Sequence, residues 1–164
     1  MLTKKIIRFA AMLAVIFANV GCDQVSKAIV RDQVEYHDHI PVLSEHLIIT
    51  KVENTGAFLS LGDSMSPMAK SLLLSLLPSL ALMLALFWLF RQTDISNATL
   101  FGMCCVLGGG IGNLFDRVVY GSVTDFLFIH VGIFRTGIFN FADVSITCGT
   151  LLVVLQQVIG KRNL

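Results

Sequence analysis

Four aspartates stand where carboxylates are costly. Asp23, Asp116, Asp125 and Asp143 lie within or at the edges of apolar stretches that are otherwise almost uncharged. A charged side chain inside a membrane span costs about 2.5–3.5 kcal/mol on insertion scales, so such residues mark function by default. Burial raises a carboxylate pKa, and a second carboxylate brought alongside raises one of the two further. That is the requirement of aspartic-protease chemistry, in which an ionised carboxylate takes a proton from water and its protonated neighbour polarises a scissile carbonyl. Such a pair titrates as a unit, so residue types alone do not assign acid and base.

Local charge separates the four. Asp23 has Lys27 four residues on, the spacing of an intrahelical ion pair. Asp116 is followed directly by Arg117, a cation expected to hold it ionised. Asp125 is followed by Phe126-Leu-Phe-Ile, and Asp143 is expected about one turn into an apolar helix; neither has an adjacent cation. Asp125 and Asp143 are therefore the better candidate pair. Asn113-x-x-Asp116 and Asn140-x-x-Asp143 place an amide and a carboxylate on one helix face, where the amide can donate to the acid and orient it. No Ser-Lys or Ser-His arrangement competes. His37, His39, His46 and His130 are scattered, and no zinc or other cofactor is expected from so few convergent ligands. Cys22, Cys104, Cys105 and Cys148 lack metal or disulfide-framework spacing and read as small packing residues.

The elements that must position these residues follow from composition. Of 164 residues 55% are hydrophobic and 14% charged, and mean hydropathy is +0.78. A membrane-spanning helix needs about 20 apolar residues. Ser71–Phe90 supplies 20 uncharged residues and Ile95–Phe115 supplies 21, while Asp143 is the only charge between Arg135 and Lys161. Arg8 and Asp23 bracket 14 uncharged residues, extendable to about Val30 if Asp23 and Lys27 face the bundle or the interface. The expected fold is membrane α-helical. One domain, 1–164, has four transmembrane helices at about 7–30, 69–90, 96–116 and 138–160, and outer segments at about 31–68 and 117–137. Net charge of +1 carries no signal for nucleic acid, no basic tract suggests it, and no nucleic-acid partner is expected. Membrane lipids surround the chain, and a monomer is expected.

Four spans put both termini on one side. With termini in the cytoplasm, Lys4, Lys5, Arg8, Arg91, Lys161 and Arg162 are inside, and Lys27, Arg31, Lys51, Lys70, Arg117 and Arg135 are outside. The counts tie, but the inner six lie in short tails and one short loop next to helix ends, where they control orientation most strongly. In that orientation all four aspartates converge on the outer interface. The apolar run ending Val20-Gly21-Cys22 has the outline of a lipoprotein signal. Asn19 and the three spans that follow argue that this helix is retained. Leu47-Ile-Ile-Thr-Lys-Val-Glu-Asn54 and Val123-Thr-Asp-Phe-Leu-Phe-Ile-His-Val131 are rich in β-branched and aromatic residues, and together form a small β-rich cradle outside the helices. Pro78 falls mid-span and is expected to kink its helix. Gly108-Gly-Gly-Ile-Gly112 fits either close helix packing or a place beside substrate; with no strand before it and no Lys after, it is not a phosphate loop.

Asp23-Gln-Val-Ser-Lys27, Asn54-Thr-Gly56, Gly109-Gly-Ile-Gly-Asn113-Leu-Phe-Asp116-Arg117, Val123-Thr-Asp125-Phe126 and Phe139-Asn140-Phe-Ala142-Asp143 resemble, in this order, the motifs of lipoprotein signal peptidase, signal peptidase II. The resemblance covers almost the whole chain. It departs from the commonest family version at Ala57-Phe-Leu-Ser60. It implies an aspartic endopeptidase of the bacterial inner membrane that cleaves diacylglyceryl-modified prolipoproteins before the lipid-bearing cysteine and is inhibited by globomycin. It also implies a catalytic pair at Asp125 and Asp143, a supporting role for Asp116, and Asp23, Lys27, Asn54, Gly56, Asn113, Arg117, Asn140 and Ala142 lining or ordering the site. A mobile loop over the cleft is a further implication. Two readings from other classes are separable. A proton-coupled transporter would place its carboxylates near the midplane rather than at one face, and an assembly protein would tolerate their loss.

Overall fold

The computed structural model describes residues 2–43, 46–57 and 61–162. Helix α1 covers Leu2–Gln33. At 1.5 Å per residue its 32 residues extend about 48 Å, well beyond an apolar bilayer core of about 30 Å. Its last turns, carrying Lys27 and Arg31, therefore reach past the apolar span. Strands β1 (Ile40–Pro41) and β2 (Leu47–Asn54) follow. Helix α2, Pro67–Arg91, α3, Asn97–Val119, strands β3 (Val123–Val131) and β4 (Phe134–Arg135), and helix α4, Phe141–Arg162, complete the described chain. All four helices are long and apolar enough to cross a membrane.

Their boundaries differ from the sequence expectation in informative ways. α1 continues three residues past the expected end, to Gln33: Asp32 and Gln33 are exposed, but Arg31 bonds Thr124 and Asp116 and the following Val34 is buried against Phe126, which anchors the last turn. α4 starts at Phe141 instead of 138, so Asp143 lies in its first turn, not one turn in. In α2, a short α-turn at Pro67–Lys70 gives way to a π-helical stretch, Ser71–Leu76, before α geometry resumes at Leu77–Arg91. Pro78, expected to kink a uniform helix, stands at the junction, where its missing N–H would otherwise bond the Leu74 carbonyl. π-turns inside helices commonly accompany functional sites.

The four strands form one antiparallel sheet in the order β1-β2-β3-β4, as the two β-branched segments predict. Val52 pairs with Asp125 and Asn54 with Val123, after an irregularity between Ile49 and Val52. Asn54 is thus the diagonal neighbour of Asp125 on one face. Phe139 then locks onto β3: its carbonyl accepts from the N–H groups of Phe126 (3.0 Å) and Leu127 (2.8 Å), and its own N–H donates to the Leu127 carbonyl (2.9 Å). This clamp delivers Asn140 and the start of α4 beside Asp125. Of the segment Ala57-Phe-Leu-Ser60, residues 58–60 lie outside the described residues.

Two apolar clusters hold these parts. Met12, Ile16, Leu89, Leu100, Cys104 and Leu107 join α1, α2 and α3; Val30, Val34 and Phe126 seat the sheet on the end of α1. α3 and α4 approach closely at a glycine pair. A Cβ on Gly102 would lie 2.8 Å from the Gly149 carbonyl oxygen, and one on Gly149 2.5 Å from that of Gly102. The outer face of α2 exposes Leu72, Leu76, Leu80, Leu84 and Phe87, a patch suited to lipid rather than water.

Candidate active site

Asp23, Lys27 and Arg31 recur every four residues and so share one face of α1. Lys27, fully buried, donates to Asp23 Oδ2 at 2.8 Å and Asn113 Oδ1 at 2.9 Å, and pairs with Asp116 Oδ2 at 2.9 Å. Arg31 pairs with Asp116 Oδ1 at 2.8 Å and donates from Nε to Thr124 Oγ1 at 2.8 Å. Thr124 Oγ1 in turn donates to Glu53 at 2.8 Å, joining α1, β3 and β2. Gln24 Nε2 lies 3.1, 3.0 and 3.1 Å from Asp23, Asp116 and the Gly112 carbonyl. Asp116 is therefore held by two cations, but not by the one its sequence neighbour would supply. Residues i and i+1 on a helix do not face each other. Arg117 instead donates to the Gly56 carbonyl (3.1 Å) and the Asn113 carbonyl (3.4 Å).

The amides transmit this order to the other two aspartates. Only an acceptor can face an ammonium, so Lys27 fixes Asn113 with Oδ1 inward and Nδ2 outward, donating to Asp143 Oδ1 at 2.9 Å. Asn140 is the N-cap of α4. Its Oδ1 accepts from the Asp143 N–H at 3.0 Å, and its own N–H donates to Asp143 Oδ2 at 3.1 Å, a reciprocal capping box. Its Nδ2 donates to Asp125 Oδ1 at 2.7 Å and Asn113 Oδ1 at 3.1 Å. Asn54 Nδ2 completes the set by donating to Asp125 Oδ2 at 3.0 Å and to the Ala57 carbonyl at 3.1 Å, while Asn54 Oδ1 accepts from the Gly56 N–H at 3.0 Å. The Ala142 N–H, an otherwise orphaned helix-start donor, is taken by Asp23 Oδ1 at 3.0 Å.

Each oxygen of Asp125 and Asp143 thus receives one hydrogen bond from a neutral donor, and among the described residues none from a cation. A carboxylate oxygen has more than one lone-pair site, which leaves capacity for a proton or a water. Both side chains line a cavity of about 370 Å3, together with Asn54, Asn113, Arg117 and the apolar Leu73, Leu74, Pro78, Ile138 and Phe139. Leu73 and Leu74 come from the π-helical stretch of α2. Burial, and secondarily the nearby Asp143, push Asp125 up from 3.8 to about 6; the Asn54 and Asn140 donors and Lys27 oppose the rise.

All eleven residues singled out from the sequence fall in this one connected assembly, although their partners differ from expectation. The i, i+3 amides reach mainly across elements: Asn113 serves Asp143 rather than Asp116, and Asn140 serves Asp125 as well as Asp143. Sequence reasoning missed Gln24, Arg31, Glu53 and Thr124. Arg31 had a signal, since it continues the four-residue spacing of Asp23 and Lys27; Gln24 and Thr124 lie inside the motifs Asp23-Gln-Val-Ser-Lys27 and Val123-Thr-Asp125-Phe126 without a role assigned to them, and Glu53 had no signal.

The family model described as signal peptidase (SPase) II matches residues 15–159. The lipoprotein signal peptidase of Desulforapulum autotrophicum is 31% identical over 160 residues, covering 97% of this chain and 96% of the relative. That of Francisella tularensis subsp. novicida is 26% identical over 144 residues, covering 88% and 89%. A solved bacterial membrane enzyme structure superposes with a TM-score of 0.83 at 24% identity, over 94% of this chain and 91% of that one, and so shares the fold. A match of this extent, over four helices and a sheet that converge on one carboxylate assembly, leaves a plain conclusion: the chain belongs to the signal peptidase II family and is a multi-pass membrane peptidase.

Proposed function

We propose that this peptidase removes signal peptides from diacylglyceryl-modified prolipoproteins, cutting before the lipid-bearing cysteine, with Asp125 and Asp143 as the catalytic pair. The observation that carries the pairing is the amide bridge. Asn140 and Asn113 hold the two carboxylates on one cavity wall without neutralising either. One carboxylate is ionised and accepts a proton from water as its oxygen attacks the scissile carbonyl carbon. The other is protonated and donates to the carbonyl oxygen. The C–N bond of the tetrahedral intermediate then breaks as the proton taken from water passes to the leaving amine, and the hydroxyl formed on the carbonyl oxygen returns its proton to the second carboxylate. Burial pushes the Asp125 pKa up to about 6, which suits it to carry a proton. Asp116 and Asp23, ion-paired to Lys27, order the site and do not enter the chemistry.

The cavity is mostly apolar outside its polar wall, which suits the uncharged residues of a signal peptide. Ile138, Phe139 and Asp143 also line an adjoining apolar groove of about 320 Å3 along α4. This groove is a place for the substrate's acyl chains next to the cut. In the proposed orientation both termini are cytoplasmic, and the sheet and site lie at the outer face of the bacterial inner membrane. The chain acts as a monomeric single domain, 1–164.

The test is processing of a lipidated prolipoprotein by purified Asp125→Asn and Asp143→Asn variants. Both insert and fold, and both lose turnover; full processing by either ends the assignment of that residue. An unlipidated substrate is cut far more slowly by the unaltered enzyme if the acyl chains are recognised.

A further inference from the structure

At the far end of α1, 15 residues and hence about 22 Å of helix from Asp23, Arg8 is incompletely satisfied. Its Nη1 donates to the Thr93 carbonyl at 3.0 Å. Among the described residues its Nη2 has no partner, although that atom is buried. Among the described residues no carboxylate pairs with Arg8, so its charge is complementary to an anionic oxygen supplied from outside the chain. Arg8 lines a groove of about 530 Å3 between α1 and α3, with Lys4 beside it and Asn97 at the first turn of α3. Ser96 caps this helix by accepting from the Thr99 N–H at 3.1 Å and the Leu100 N–H at 2.9 Å, and the positive end of the helix dipole still favours negative charge nearby. Below these polar groups the groove is apolar, walled by Ile7, Met12, Val15, Leu100 and Phe101.

We propose that this groove binds an anionic phospholipid of the membrane, with the phosphate on Arg8 and Lys4 and one acyl chain lying along Met12, Val15 and Phe101. Charge selects this occupant. A signal peptide's basic start would meet Lys4, Arg8 and, behind them, Lys5 and Arg91, and would be repelled. A zwitterionic lipid offers the same phosphate but brings a second cation with it. The site is independent of the carboxylate pair, and its failure would leave the peptidase assignment untouched.

The experiment is native mass spectrometry of the full chain, released from micelles containing equal phosphatidylglycerol and phosphatidylcholine of matched acyl chains. Phosphatidylglycerol adducts dominate, and Arg8→Gln lowers their affinity about fivefold, the value expected for one basic residue at a lipid surface. Lys4→Gln has a similar effect, which keeps the proposal testable if Arg8→Gln folds poorly. Phe101→Trp, which fills the groove and leaves the charges, lowers retention of the two-chain lipid and confirms that the chain lies there. Equal retention of both lipids, or folded Arg8 and Lys4 variants that retain phosphatidylglycerol like the unaltered chain, overturns the proposal.

Discussion

Replacing Lys27 with Met removes the one ammonium that touches Asp23, Asp116 and Asn113 together. The two carboxylates are not affected alike. Asp116 keeps Arg31 at 2.8 Å, Gln24 at 3.0 Å and the Thr124 N–H at 3.4 Å. Asp23 keeps only the neutral donors Gln24 and Ala142, so it is the stranded charge. Breaking a buried pair from one side costs about 3–5 kcal/mol, mostly the penalty on the partner left behind. Lys27→Met should lose stability of that order in denaturant-titrated unfolding in mixed micelles. Adding Asp23→Asn should recover most of the loss, because it discharges the stranded group and keeps an acceptor for the Ala142 N–H. Adding Asp116→Asn instead should recover little and strand Arg31. If Lys27→Met costs less than about 1 kcal/mol, or if the Asp116 variant rescues better than the Asp23 variant, the account of how the network divides its charge is wrong. Turnover supplies a second readout: without Lys27 the Asn113 amide can flip, and an outward Oδ1 would face Asp143 rather than donate to it.

The other expectations are brief. Asn54→Ala removes a donor to the ionised form of Asp125, so its pKa climbs further above about 6; a hydrogen bond to a charged group corresponds to about 1–2 pH units. The alkaline limb of the pH–kcat/KM profile moves up accordingly, separately from any loss in plateau height, and an unmoved limb refutes the role. The same raised pKa has a stability sign: Asp125 favours the folded chain fully below its unfolded value of 3.8, and that contribution is lost as pH rises through about 6. Gly149→Leu forces α3 and α4 apart at their closest approach and costs about 1–3 kcal/mol with loss of activity, whereas Gly21→Ala, which meets nothing within 4 Å, is neutral in the same unfolding assay. Globomycin, added at increasing concentration to the cleavage assay, blocks processing; undiminished turnover at saturation contradicts that expectation.

Much of the site was readable because polar residues in apolar stretches carry their own signal. Asp23, Asp116, Asp125 and Asp143 each stand out against their neighbours, and four-span topology alone brings them to one end. The β2 and β3 segments were readable from side-chain type. Pairwise chemistry was not. Arg117 adjoins Asp116 in sequence, yet helix geometry turns it toward Gly56 and gives Asp116 to Lys27 and Arg31 from another helix. Asn113 and Asn140 share a spacing with their local carboxylates, but which amide atom faces which acid depends on an ammonium from α1. Thr124 is an ordinary strand residue until the register sets it between Arg31 and Glu53. The π-helical stretch had only Pro78 as a marker, and proline predicts a lost hydrogen bond without saying how the preceding turns adjust.

Asn140 has one further consequence, for the order in which the molecule comes into being. It is both the first residue of the last helix's cap and the group that ties Asp143 to Asp125, which is carried by a strand that precedes that helix in the chain. A nascent chain with three spans inserted has Asp125 but neither Asn140 nor Asp143 in place. On the proposed pairing, proteolytic competence arrives with the final span, and a half-made molecule is latent.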